Sequence, residues 1–240
     1  MEMEMQHRVM GYDRAATMFS PDGRILQVEY AEKTVRLGSA SVGLVCSDGI
    51  MIISDKRLGD PLVLPEAILK IWEIDEHIIA TAAGVLSDAR VLLEHSQVIA
   101  QQHRVTYDQP IDTESVIKDV ANIQQSATQY AGARPFGIAV MIAGINRDNA
   151  KKLYVSDVTG NYLGFKASVI GENDDRIKEL LQKGYKESLS VDQGIKFTLN
   201  IFKKVLGKGF NIERFETVFV KTDDKKAKRL HGAALSKYVR

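Results

Sequence analysis

The sequence predicts an α/β (α+β) fold: a four-layer α/β/β/α sandwich of two mainly antiparallel sheets flanked by helix pairs. Three observations predict it. Strand-like stretches come in hairpin pairs, "SASVGLVCS" with "GIMIISDKR" around Asp48-Gly49 and "AILKIWEI" with "HIIATAAG" around Asp75-Glu76. Short turns of this kind join antiparallel strands. Helical stretches come two at a time after runs of strands, so each pair can cover one outer sheet face. No Pro/Gly/Ser linker and no composition break divides the 240 residues, a length that suits one large domain.

The elements follow in order. Residues 1–11 are polar, Met-rich and without period, and read as a mobile tail. Within 12–37, "FSPDGR" is a turn, with Pro21 presetting its first central φ and Gly23 closing it. A helix follows with Ile25, Val28, Ala31 and Val35 on one side, and Gly38 ends it. The core is expected over 38–224. Its two hairpins are joined by a loop carrying Pro61 and Pro65. A helix is predicted from Ser87, as N-cap, to Arg104, with Val91, Leu92, His95, Val98 and Ile99 inward. A second starts at Thr113, with Val116, Val120, Ile123, Ala127 and Tyr130 on its apolar side. After the break at "ARPFG" come the strands "FGIAVMIAGIN" and "KKLYVSDVTG", then short strands in "NYLGFKASVIG". Helices over Asp174–Gly184 and Val191–Leu206 precede a last strand, "RFETVFVKTD". Residues 225–240 read as a charged tail, helical in part.

Composition excludes several classes. The 45 % hydrophobic content supports a real core, and 32 basic against 31 acidic residues leave no general pull toward nucleic acid or anionic membrane. Cys46 is the only cysteine, so intrachain disulfides and thiol metal clusters are impossible, and a reducing, cytoplasmic setting is expected. The N-terminal stretch has no apolar h-region, and apolar runs are strand-sized, so neither a signal peptide nor a spanning helix is expected. His95 and His103 lie two turns apart, too far to chelate one ion. No G-x-S-x-G, HExxH, P-loop or dinucleotide fingerprint occurs, so no metal or cofactor is expected.

Two chemical candidates remain. Ser39 follows Gly38 at the head of the first strand, with Asp55 and Lys70 downstream. A hydroxyl, a carboxylate and an amine there make either a nucleophile site or ordinary sheet residues. Lys70 interrupts the apolar run "ILKIW". A buried amine must be paired or functional, whereas a rim position would make it harmless.

The segment "YDRAATMFSPDGRILQVEYA", Tyr12 to Ala31, closely resembles the signature of proteasome α-type subunits, and most of all archaeal ones. The resemblance continues through "SDKR", "LKIWEID", "AAGVLSDAR", "SATQYAGARPFGIAVMIAG" and "SVDQG". It implies the fold of N-terminal-nucleophile hydrolases. In related β-type subunits, cleavage after a Gly frees a Thr whose α-amine serves as base, supported by an Asp and a Lys. Ser39, Asp55 and Lys70 fall at about those places. The resemblance implies that α-type chains stay uncleaved, with the leader helix in the cleft, so no catalytic residue is expected here. It implies a gate of Tyr12, Asp13, Arg14, Pro21 and Tyr30, an activator-tail pocket of Lys70, Gly84, Ile25 and Val85, and inter-subunit contacts at Arg134, Pro135 and Phe136. Implied partners are identical or similar α subunits in a seven-membered ring, β-type subunits, an ATPase activator ring, and unfolded proteins entering the 20S core particle. The alternatives are an N-terminal-serine hydrolase matured at Gly38-Ser39 and a self-assembling scaffold. The chain departs from the family pattern at "LGSASVG" and at "AAGVLSDAR", which puts Val85 in the activator pocket.

Overall fold

A computed structural model describes residues 10–57, 62–64 and 67–239. Pro61, Pro65 and residues 1–9 of the expected tail lie outside the described residues. Helix α1 is Leu26–Leu37. Strands β1 (Ser41–Val45) and β2 (Gly49–Asp55) form the first hairpin, and β3 (Ile71–Asp75) and β4 (Ile78–Gly84) the second. Helices α2 (Leu86–Tyr107) and α3 (Thr113–Gln129) follow. Then come β5 (Ile138–Ile145), β6 (Lys151–Ser156), β7 (Tyr162–Gly164) and β8 (Ala167–Ile170). Helices α4 (Asp174–Gly184) and α5 (Val191–Leu206) precede β9 (Phe215–Lys221) and β10 (Ala227–His231).

One sheet has the order β10-β9-β2-β1-β8 and the other β3-β4-β5-β6-β7, with antiparallel ladders among the described residues. Alternate side chains of each strand face opposite ways. Ile50, Ile52, Val218 and Val220 therefore meet Ile79, Met141, Ala143 and Leu153 between the sheets. Their neighbours Val42, Leu44, Met51 and Ile53 face outward onto Ile177, Ile195, Leu199 and Phe202 of α4 and α5. On the other side Ile78, Ala80 and Ile142 meet Leu92, Leu93, Val116 and Val120 of α2 and α3. Both faces of each sheet are covered, which is why β5 is an unbroken apolar run and β2 is apolar from Gly49 to Ile53. The expected four-layer sandwich is the observed fold.

Three details differ from expectation. Val85, not Ser87, is the N-cap of α2, and no side chain caps it. The buried face of α2 is Ala89, Leu92, Leu93, Ser96 and Ala100, while Val91 and Val98 are half exposed. Small residues let the helix lie close to the sheet, and valines placed by apolarity alone fall outside that contact. His95 instead bonds Asp119 of α3 at 2.8 Å, and Tyr130 sits exposed beyond the end of α3. Finally, the described residues 225–239 of the expected tail are ordered into the sandwich, and the part expected to be helical is a 3-10 helix over Gly232–Tyr238. β10 pairs with β9, Leu235 is buried, and Tyr238 donates its hydroxyl to Asp192 Oδ1 at 2.6 Å. The charges of "AKRLH" are those of a protected edge strand, not of a tail.

The leader helix seats on a backbone contact. Gly38 N–H donates to Thr34 O and Val35 O and closes α1. A Cβ on Gly38 would collide with Gly84 N, and one on Gly84 with Gly137 O. Gly84 also holds φ +120°, which L side chains rarely adopt. Thr34 Oγ1 lies 2.8 Å from Gly137 O. Gly84→Ala should therefore cost at least about 2 kcal/mol. Gly23→Ala, with φ +73° but open space around it, should cost about 1 kcal/mol. Urea unfolding of both variants checks the contrast.

Candidate functional site

The chemical candidates Ser39, Asp55 and Lys70 fall at one end of the sandwich, where α1 hands over to β1. Gly38 O accepts the Glu172 N–H at 2.8 Å, and Ala40 O accepts the Asp55 N–H at 3.0 Å. The Gly38-Ser39 peptide is thus built into the backbone ladder. Arg57 Nη1 donates to Leu37 O at 3.3 Å and its guanidinium pairs with Glu172, clasping the end of α1 from outside.

Asp55, 1 % exposed, ends β2. Its Oδ1 accepts the Arg57 N–H at 2.8 Å and Arg214 Nε at 3.1 Å, and its Oδ2 accepts Arg214 Nη2 at 2.5 Å. Antiparallel pairing of Asp55 with Phe215 places Arg214 beside it. Lys70 sits immediately before β3 and is 2 % exposed. Its ammonium donates to Ala82 O at 2.8 Å. Burial pushes this amine down to about 8, opposed chiefly by the charge of Asp55.

Glu216 of β9 is the second buried carboxylate. It accepts the backbone N–H groups of Lys70 (3.2 Å) and Ile71 (2.9 Å), bonds Arg229 Nη1 at 3.2 Å, and lies 3.6 Å from Lys56 Nζ. Beneath it the hydroxyls of Ser41, Ser54 and Thr81 stand 2.8–3.2 Å apart, and Thr81 donates to Lys70 O at 2.8 Å. Ser39, Asp55 and Lys70 therefore share one region, but the carboxylate belongs to Arg214 and the amine to a carbonyl. Sequence reasoning missed Arg214, Glu216, Arg57 and Glu172. Glu216 had a signal: a charge inside the apolar run "RFETVFV", the same anomaly that marked Lys70.

The leader residues are placed as follows. Arg14 N–H donates to Gly11 O at 3.1 Å, and Asp13 O accepts Gln27 Nε2. Asp13 Oδ1 is buried with no hydrogen-bond partner among the described residues. Pro21 lies in a turn closed by Gly23 N–H to Ser20 O and Ser20 N–H to Arg24 O, both 2.8 Å. Tyr30 carries the Lys33 amine 5.3 Å above its ring. Gly84 adjoins Val85, whose N–H donates to Gly137 O at 3.0 Å, and Ala82 links them to Lys70. Ile25 packs by Val28, Ala31 and Val158. It is thirteen residues before Gly38, about 20 Å along the helix, so within one chain it stands apart from Gly84 and Lys70.

Arg134 forks onto Asp88 with two bonds of 2.7 Å, and Asp88 Oδ2 also accepts Gly137 N–H at 3.0 Å. The Arg134 hydrogen bonds hold the Asp88 carboxyl below the usual range. Pro135 is buried, and Phe136 packs against the core of α2 and α3.

Residues 12–33, from the Tyr-Asp-Arg cluster through most of α1, match the N-terminal signature of A-type proteasome subunits. Residues 35–220, from the end of α1 nearly to the end of β9, match the family described as Proteasome subunit. The chain belongs to the proteasome α-type subunit family. It is 40 % identical over 230 residues to the proteasome alpha subunit of Archaeoglobus fulgidus, spanning 96 % of this chain and 93 % of that one. The corresponding protein of Methanosarcina acetivorans gives the same identity and coverage. That of Pyrococcus horikoshii is 37 % identical over 229 residues, 95 % of this chain and 87 % of the relative. In this α-type subunit no described helix is long and apolar enough to cross a membrane.

Lys70 makes stability depend on pH. Its folded-state amine titrates near 8 and its unfolded one near 10.5. Below 8 both states are charged and the burial penalty is fully present. Between the two values the folded state releases its proton first, so the penalty fades as pH rises. Relative to Lys70→Met, the wild type should gain roughly 3 kcal/mol from neutral pH to above 10.5. Paired urea titrations across that range measure it, and a constant difference would contradict the burial of the amine.

Proposed function

We propose that this α-type subunit is a non-catalytic member of the outer ring of the cytoplasmic 20S proteasome core particle. In this reading seven identical or similar α subunits form the ring, stack on β-type subunits, gate the entry of unfolded proteins, and dock the C-terminal tails of an ATPase activator ring. One observation carries the reading: the leader helix is in place and the Gly38-Ser39 peptide is hydrogen-bonded into the fold. An N-terminal nucleophile needs a free α-amine to take the hydroxyl proton. The Ser39 nitrogen is an amide and is not a base. The neighbouring Asp55 is already paired with Arg214 and the Lys70 ammonium donates to Ala82 O, so neither group stands in for the missing α-amine.

The same parts support the gating and docking reading. Asp13 Oδ1, buried and unpartnered among the described residues, is an acceptor suited to a donor from a neighbouring copy. The turn closed between Ser20 and Arg24 presents an exposed Pro21. Lys70 supplies a buried ammonium for a terminal carboxylate, with Gly84 and Val85 close by and Ile25 at the far end of α1. The Arg134–Asp88 pair holds the Arg134-Pro135-Phe136 loop in one shape for a neighbour to meet.

In particles assembled with β-type subunits, Ser39→Ala should leave turnover unchanged within error, and intact mass should show the leader retained. A large loss of turnover, or a chain beginning at Ser39, would establish the N-terminal-serine hydrolase instead. Lys70→Ala should assemble but lose stimulation by an activator with docking tails. A charge-assisted bond to a carboxylate contributes about 1.5–3 kcal/mol per site, and multivalent tails multiply the loss. Undiminished stimulation would remove Lys70 from the docking site.

A further inference from the structure

Lys70 has a carboxylate within Coulombic reach and does not bond it. Asp55 is the charge that most favours the Lys70 ammonium. Yet its oxygens are occupied by Arg214 Nε and Nη2 and by the Arg57 N–H. Glu216 is likewise engaged, by Arg229, Lys56 and the backbone of Lys70 and Ile71. Glu172, the third acid near the amine, pairs with Arg57. An ammonium has three protons to donate, and among the described residues a single acceptor, Ala82 O, is bonded to this one.

This division is unusual energetically. A buried amine beside a buried carboxylate normally pairs with it, because each offsets the other's desolvation. Here an arginine fork takes the carboxylate, with two parallel bonds that a single ammonium cannot match. Arg214 is itself fixed from the far side, donating Nη1 to Gly209 O at 3.0 Å. Its guanidinium is partly exposed, as are those of Arg57 and Arg229. The arginines that hold the surrounding acids thus reach solvent, while the amine itself is buried.

We propose that Arg214 is a positioning residue for tail docking: by sequestering Asp55 it keeps the Lys70 ammonium unpaired and available to an incoming terminal carboxylate. The proposal rests on the docking role given to Lys70 above. Without Arg214, Asp55 is a buried anion that has lost its cation, and Lys70, bonded only to Ala82 O among the described residues, is a cation within its Coulombic reach. The internal pair then forms, and an external carboxylate has to displace it. Arg214 acts through Asp55 and need not touch the tail. Removing both charges should therefore restore docking, which a merely structural role for Arg214 does not predict.

The experiment uses particles assembled with β-type subunits. The probe is a short synthetic peptide with a free C-terminal carboxylate, compared by calorimetry with the same peptide ending in an amide. The wild type should prefer the acid, and Lys70→Met should erase the preference. Arg214→Met should reduce the preference about tenfold. The double variant Asp55→Asn, Arg214→Met should bring it back to near the wild-type value. A full preference in Arg214→Met, or a double variant as weak as the single one, overturns the proposal. If Arg214→Met does not assemble, the double variant, which leaves no carboxylate at position 55 to capture Lys70, still decides: a lost preference there overturns the proposal. A preference that survives Lys70→Met defeats the docking role of Lys70 itself, and is read separately from either Arg214 result.

Discussion

Three stretches of backbone meet where Gly38, Gly84 and Gly137 come together, and the leader depends on that meeting. None of the three has room for a side chain. Because they touch directly, α1 ends against β4 and the start of β5, and Thr34 reaches Gly137 O. The helix then turns straight into β1, and Gly38 O finds Glu172 N–H. Everything downstream inherits that geometry. Ser39 is held as an internal residue, Asp55 comes alongside Ala40, and the charged cluster closes over the junction.

The cluster illustrates how a sandwich tolerates charge at its end. Asp55, Lys70 and Glu216 are each almost fully buried. The two acids are satisfied by arginines that stay partly in solvent, so their desolvation is offset without burying whole guanidinium groups. Lys70 is the exception: one carbonyl holds it, and burial pushes its amine down. The hydroxyl triangle of Ser41, Ser54 and Thr81 extends the polar contact inward across both sheets. It hands its last proton to Lys70 O and fixes the entry into β3.

Hairpins, helix pairs and their order were legible in the sequence because they depend on local turn chemistry and on periodicity. Asp174–Gly184 and Val191–Leu206 were even bounded correctly, the second by a capping box at Ser190 and Gln193. The inward face of α2 was not legible, since Ala89, Ser96 and Ala100 carry little apolar signal and owe their burial to close packing. β10 was hidden for the opposite reason: its charges are an edge strand's and look like a tail's. Lys70 was marked by its apolar surroundings. Arg214 was not, because only the pairing of β2 with β9 across more than 150 residues sets it beside Asp55. The roles of the leader residues came from resemblance, and spacing alone carried none of them.

The two sheets differ in how they draw on the chain. β3 to β7 are consecutive in sequence and adjacent in order, so that sheet is a meander completed within residues 71–164. The other places β9 beside β2 and β8 beside β1, joining early and late parts of the chain. During synthesis from the N-terminus the meander and its two helices can close while the second sheet still lacks three of its five strands. The apolar outward faces of β1 and β2, and the open edge of β2, then wait for α4, α5 and β9 to emerge. That makes the emerging chain a natural client for protection, and makes sandwich closure, with its long-range pairing, the slow step of folding.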